Sequence, residues 1–430
     1  MEKITCNRFY NQSVITRLFL YLLSGSMFFA TISIFHVNSF NIRFWQIFLL
    51  VYFLFNFLLC YRYCFLLNLN KYQYFFASLI FLLFFLLLIS GFNALDGFLF
   101  IKQFTLITIM FLLFFAMAFL RDINVILYLI KLLGIIGTLV CLYSIWELFY
   151  NHANLPKYYF NGIYLPRARG FFVEPNEFSQ YMTLPFSFVL SRFLIEKSKK
   201  IEKLFLFTML IILITGQLFS LSRGGILSYM VSIFVIFFLN RNLFYKNKFI
   251  KLFVVFLFII SSVYIFSGSV FFSLLIERLI SLFSGSDATA GIRYDAIINA
   301  LSFQSEDPFY ILFGIGFGNL PVLLGSDVAT TSNFIIDYYV ESGLFSIFIL
   351  LFFILYLLRI SFSQLTILYD DMPYDLRAGF VGVLASFCGV LVGGLTYATH
   401  LLNIFWFTAG LLVAFICFFK SPRYESRGIL

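Results

Sequence analysis

Charge is what this sequence has least of: Asp, Glu, Lys and Arg together make up 11% of its 430 residues, against roughly 25% in a soluble domain. So few charges cannot clothe a water-facing surface, and a soluble globular protein is excluded. Cysteine is sparse and scattered, with Cys6, Cys60, Cys64, Cys141, Cys388 and Cys417 forming no CxxC pair and no metal-ligand spacing. Neither a disulfide framework nor a zinc site is expected. His36, His152 and His400 likewise lack ligand spacing, so the chemistry is expected to need no metal and no cofactor. Internal repeats, heptads and a separate soluble segment are also missing. The expectation is a single integral membrane domain over residues 1–430.

What is abundant is apolar surface, at 62% hydrophobic residues and a mean hydropathy of +0.98. Apolar stretches of about 18 to 25 residues recur along the chain, and at ~1.5 Å per residue each crosses a hydrocarbon core of ~30 Å as a helix. A transmembrane barrel would need strands that alternate apolar and polar residues, whereas the run from Phe75 to Ile89 is apolar at nearly every position. The expected fold class is therefore all-α, a polytopic bundle of about twelve transmembrane helices. Spans are predicted at 15–36, 42–60, 74–92, 98–120, 123–149, 176–195, 204–221, 225–240, 249–267, 333–358, 377–395 and 401–419.

Threading these spans with the N-terminus inside places most of the 29 Lys and Arg residues on one side. By the positive-inside rule both termini are expected in the cytoplasm. The net charge of +9 thus sets orientation, and no nucleic-acid partner is expected. Two external segments, 150–175 and 268–332, are too long to be simple turns, so function is expected there. The second is predicted to hold short helices near 273–283 and 293–303, followed by a turn at Gly314, Gly316 and Gly318.

Several arginines fall on the outer side, against the inside bias. Arg167 and Arg169 occur in PRARGFFVEPNEF, Arg223 in the LSRGG turn and Arg293 in GIRYDAI. Any one of them alone can be an interfacial anchor. Together they suit an anion, since a guanidinium offers phosphate a planar fork of donors and keeps its charge. Ser222 and Arg223 open a polar turn between two apolar helices, where backbone N–H groups can meet the same anion. Asn176 and Glu177 fit a helix start, with Asn176 also a substrate-binding candidate. Glu174 stands beside two arginines as a candidate general base for an acceptor hydroxyl. Asn333, Asp337 and Glu341 share one helical face. The two acids fit a structural network as well as they fit catalysis, and Asn333 is the substrate-binding candidate.

These segments resemble the O-antigen polymerase and ligase superfamily. The resemblance rests on RGFFVEPNEF, on ITGQLFSLSRGG at 214–225, on GIRYDAIINAL with FGIGFGN at 291–319, and on SNFIIDYYVESGLFS at 332–346. Together they cover about half the chain in the family's order. Ser332 stands where the ligases have histidine, which favours the polymerase. The resemblance implies a metal-independent, GT-C-like glycosyltransferase in a bacterial cytoplasmic membrane, with an undecaprenyl-pyrophosphate-linked oligosaccharide as substrate. It further implies membrane lipid and a chain-length regulator protein as partners. Arg223, Arg293 and Glu174 would then be catalytic, with Arg167, Arg169, Asn176, Ser222 and Asn333 binding substrate. The alternatives are a ligase that moves finished polymer to lipid A core, and a transporter of lipid-linked oligosaccharide.

Overall fold

The computed structural model describes residues 14–28, 33–37, 40–63, 70–151, 153, 155–160, 163–195, 199–240, 273, 288–325, 330–369, 371–398 and 402–419. The helices are α1 (Val14–Ser26), α2 (Phe44–Tyr63), α3 (Lys71–Ser90), α4 (Gly97–Ala118), α5 (Ile123–Tyr150), α6 (Pro175–Ile195), α7 (Lys200–Phe219), α8 (Arg223–Leu239), α9 (Ala288–Ser305), α10 (Pro308–Phe313), α11 (Leu320–Leu324), α12 (Phe334–Leu368), α13 (Tyr374–Gly393) and α14 (Asn403–Phe419). Two antiparallel hairpins accompany them: β1 (Ser33–Val37) with β2 (Phe40–Arg43), and β3 (Lys157–Phe160) with β4 (Ile163–Pro166). Among the described residues, α3 with its short 3-10 extension, α4, α5, α7, α12 and α13 are long and apolar enough to cross a membrane. Shorter apolar helices lie at Trp45–Leu54, α8 and α14. The chain is thus a membrane-type helical bundle. The span expected at 249–267 and the short helix expected at 273–283 lie outside the described residues, apart from Ser273.

The expected first span, 15–36, is corrected. Helix α1 stops at Ser26, and residues 33–37 are a strand. Ser24 and Ser26 turn their hydroxyls back onto Leu20 O (2.7 Å) and Leu23 O (2.8 Å), and Gly25 lies between them. Such residues propagate a helix poorly, and β-branched neighbours such as Ile34 and Val37 favour extended chain. The all-α expectation is accordingly modified by the two hairpins.

The core is a close-packed trio of α6, α8 and α13, in which side chains on α13 are almost all buried. Lipid offers helices no hydrophobic reason to associate, so small residues and interhelical hydrogen bonds must do it. A Cβ added to Gly389 would lie 2.6 Å from Ser228 O, and one on Gly382 2.8 Å from Phe188 Cα. Across the same seams Ser191 Oγ donates to Ala378 O (2.6 Å) and Ser232 Oγ to Ala385 O (3.0 Å). Outer helices such as α3 instead turn large apolar side chains outward, among them Phe81 and Phe85.

Helix α12 is kinked at Gly343, whose φ of 80° is left-handed. A Cβ there would sit 2.3 Å from Leu312 O, while one on Gly314 would sit 2.3 Å from Glu341 O. The two glycines therefore let the end of α10 dock into the kink. The adjoining segment is held by Ile315 N to Val340 O (3.1 Å) and by Leu320 N to the buried Glu341 carboxylate (3.3 Å). Asp337, also buried, accepts from Thr331 N (2.8 Å) and Thr331 Oγ1 (2.6 Å). Both acids thus tie loops to α12. The glycine-rich run anchors the α9–α11 unit, in which Gln304 Nε2 donates to Tyr339 O at 3.0 Å.

Candidate functional site

One end of the trio carries a cavity of about 150 Å³ lined by Arg167, Arg223, Arg293, Asn176, Gln180, Ser222 and Gly224 together with Leu221, Thr396 and Tyr397. It lies where α6 and α8 begin and where α7 and α13 end. Three arginines line it, and no Asp or Glu is among the described residues of the lining.

Its wall at 220–225 is a tight helix–turn–helix. Leu221 takes a left-handed φ of 52°, and Ser222 caps α8 by accepting from Gly225 N at 3.3 Å. Ser179 Oγ donates to Ser222 Oγ at 2.9 Å, fastening the turn to α6. The glycine pair is a packing requirement: a Cβ on Gly224 would stand 2.1 Å from Thr396 Oγ1, and one on Gly225 2.4 Å from Ser179 Cβ. With α13 and α6 pressed this close, the first turn of α8 faces the cavity. The positive end of its dipole suits a bound anion.

Arg167 reaches the same place from the segment after β4. Its backbone N–H donates to Pro156 O (2.9 Å), and Ala168 N donates to Phe219 O (3.0 Å). Its Nε donates to Ser220 O (2.8 Å) and its Nη2 to Asn176 Oδ1 (3.2 Å). Those contacts fix the guanidinium against the turn that carries Arg223. Arg293 enters from α9, which the glycine-rich segment holds onto the bundle.

Glu174 precedes α6, and its carbonyl accepts from Phe178 N at 3.1 Å. It is hydrogen-bonded to the Tyr397 hydroxyl, so it borders the cavity through that residue. Burial first, then the carboxylates of Glu174 and Glu177, push the Tyr397 hydroxyl well above the usual phenol range, with Arg43 acting in the opposite sense. Tyr397 is therefore a neutral donor at any ordinary pH.

Of the sequence candidates, Arg167, Arg223, Arg293, Asn176 and Ser222 are brought together, and Glu174 stands one hydrogen bond behind them. Arg169 is not on the lining; its Nη1 lies 3.5 Å from Val173 O. Asn333 is not there either. Its Oδ1 caps α12, accepting from Ile335 N (3.1 Å) and Ile336 N (3.4 Å), and the next residue donates from Phe334 N to Gly394 O. His36 has only its backbone described, and His152 and His400 lie outside the described residues. Sequence reasoning missed Gln180, Thr396 and Tyr397. An amide at 180 inside a membrane helix was a readable signal, whereas 396–397 looked like an ordinary turn between spans.

Comparison of the chain with protein-family models and with curated proteins gives no match.

Proposed function

We propose that the chain is a polysaccharide repeat-unit polymerase, a membrane-embedded glycosyltransferase acting on undecaprenyl-pyrophosphate-linked oligosaccharide at the outer leaflet of a bacterial cytoplasmic membrane. The observation that carries this reading is the convergence of Arg167, Arg223 and Arg293 with the start of α8 on one polar cavity at the end of a bilayer-type bundle. Diphosphate is the group such a lining suits best: planar cationic forks, helix N–H groups and neutral hydroxyl donors, all aimed at oxygen. On this reading α1, α6, the three shorter apolar helices and the segment expected at 249–267 also span, which with the six long helices gives about twelve crossings, and the arginine end faces outward.

In the reaction the acceptor hydroxyl oxygen attacks the anomeric carbon of the donor glycan. The bond from that carbon to the pyrophosphate oxygen breaks, and its electron pair leaves with the diphosphate. Arg223 and Arg293 would neutralise the charge that builds on the leaving group, where fixed donors help most. Arg167, held by Ser220 and Asn176, would orient the diphosphate. Glu174 would take the acceptor proton, as free carboxylate or through the Tyr397 hydroxyl.

The test is polymerisation by the purified full-length protein given lipid-linked repeat units. A ladder of longer products that Arg223→Ala abolishes is expected. Translocation without bond formation would make the chain a transporter, and transfer only onto lipid A core would make it a ligase; either result overturns the proposal.

A further inference from the structure

Gln180 lies about one turn into α6, fully buried, on the lining of the arginine cavity. The Ser228 hydroxyl lies 3.3 Å from its Oε1 and also donates to Gly224 O at 2.8 Å. The amide nitrogen meets no acceptor in the protein. Ser228 engages one end of the amide, and the other end has no protein partner. A buried, unmatched amide is costly. The surrounding helices give it space instead of a partner: a Cβ on Gly393 would come within 2.3 Å of the amide nitrogen, and one on Gly224 within 3.4 Å.

We propose that Gln180 is a ligand-binding residue of this cavity, its amide hydrogen-bonding an oxygen of the bound diphosphate beneath the three arginines. The proposal rests on the anion-binding reading given above and adds a neutral contact at the buried floor. An amide suits that depth better than another cation, because a fully buried charge carries a large desolvation penalty before any ligand arrives. It also behaves differently from the arginines. Attraction between guanidinium groups and an anion in a solvent-connected cavity weakens as salt rises, whereas a buried neutral hydrogen bond is insensitive to salt.

The experiment titrates inorganic pyrophosphate into the detergent-solubilised full chain at low and high salt, comparing wild type, Gln180→Met, Gln180→Glu and Arg223→Ala. Gln180→Met keeps the length and loses the hydrogen bond, and it is expected to bind about 5- to 10-fold more weakly at both salt concentrations. Gln180→Glu keeps the shape and adds an acid, and its binding is expected to weaken further as pH rises and the carboxyl ionises. The deficit of Arg223→Ala is expected to shrink at high salt. Thermal unfolding and gel filtration show whether each variant is folded, and if Gln180→Met is not, the Gln180→Glu titration decides alone. Wild-type affinity in the folded Gln180 variants overturns this inference and leaves the anion-binding reading intact. No pyrophosphate binding by wild type overturns both.

Discussion

The two ends of the bundle set their cationic residues in different surroundings. At one end Arg167, Arg223 and Arg293 share a polar cavity whose described lining has no carboxylate. At the other, a cavity of about 250 Å³ between α5, α6 and α7 is walled by Leu132, Ile135, Phe188 and Met209, with Lys131 and Arg192 among its lining residues. Here the cations are tied to carboxylates: Lys131 to Asp375 (3.5 Å), Arg192 to Glu202 (2.7 Å) and, nearby, Arg17 to Asp122 (3.2 Å). These pairs link α1 to the start of α5, α5 to α13, and α6 to α7. Ion pairs accompany the largely apolar cavity, whereas arginines stand among uncharged polar groups on the lining of the other.

The comparison can be broken most sharply at Arg223. Arg223→Ala is expected to lower glycan transfer about 100- to 1,000-fold with the protein still folded, as removing a preorganised donor to developing charge does. Rates in a purified assay would show it, and a near-normal rate would end the contrast between the two ends. Glu174→Gln comes next, with an expected fall of about 100-fold in turnover and little change in pyrophosphate affinity. A change confined to affinity would remove Glu174 from proton transfer.

Gly224→Ala probes packing at the same end. With 2.1 Å available to its Cβ, the variant is expected to lose about 1–3 kcal/mol of stability, seen as a lower unfolding temperature, and to displace Thr396 from the cavity. An unchanged melting curve would mean that the α8–α13 seam is looser than its geometry. The smallest effect belongs to the far end. Glu202→Gln breaks a partly exposed pair and is expected to cost no more than about 1 kcal/mol, with pyrophosphate binding untouched. A loss of binding there would show that the ends are coupled.

Much of this architecture was legible in the sequence. Most long apolar runs became helices close to their expected bounds, because transfer of a side chain into hydrocarbon depends on that residue and few others. The departure from the expected first span, at the end of α1 and at Ser33–Val37, has the same root. Hydropathy reports that a stretch is apolar, but the serines of α1 and the pairing of β1 with β2 decide its backbone. The polar turn at LSRGG was readable from residue types, whereas the close contact of its two glycines with Thr396 and Ser179 was not. Asn333 caps α12 and is not on the cavity lining, and a helix cap and a substrate ligand look alike in one dimension. Gln180 could have been singled out as an amide in an apolar span, but nothing local tells a satisfied glutamine from an unmatched one.

By itself, then, the sequence determined that the chain partitions into a bilayer, where most of its helices begin and end, and which cations lie at the ends of spans, since these follow from locally additive transfer energies. Only the tertiary structure decided that Arg167, Arg223 and Arg293 share one cavity while Arg169 does not. Their meeting depends on the packing of α8 against α6 and α13, on the bonds from Arg167 to Ser220 and Asn176, and on the docking of α9 through the glycine-rich segment, all contacts between residues far apart in the chain.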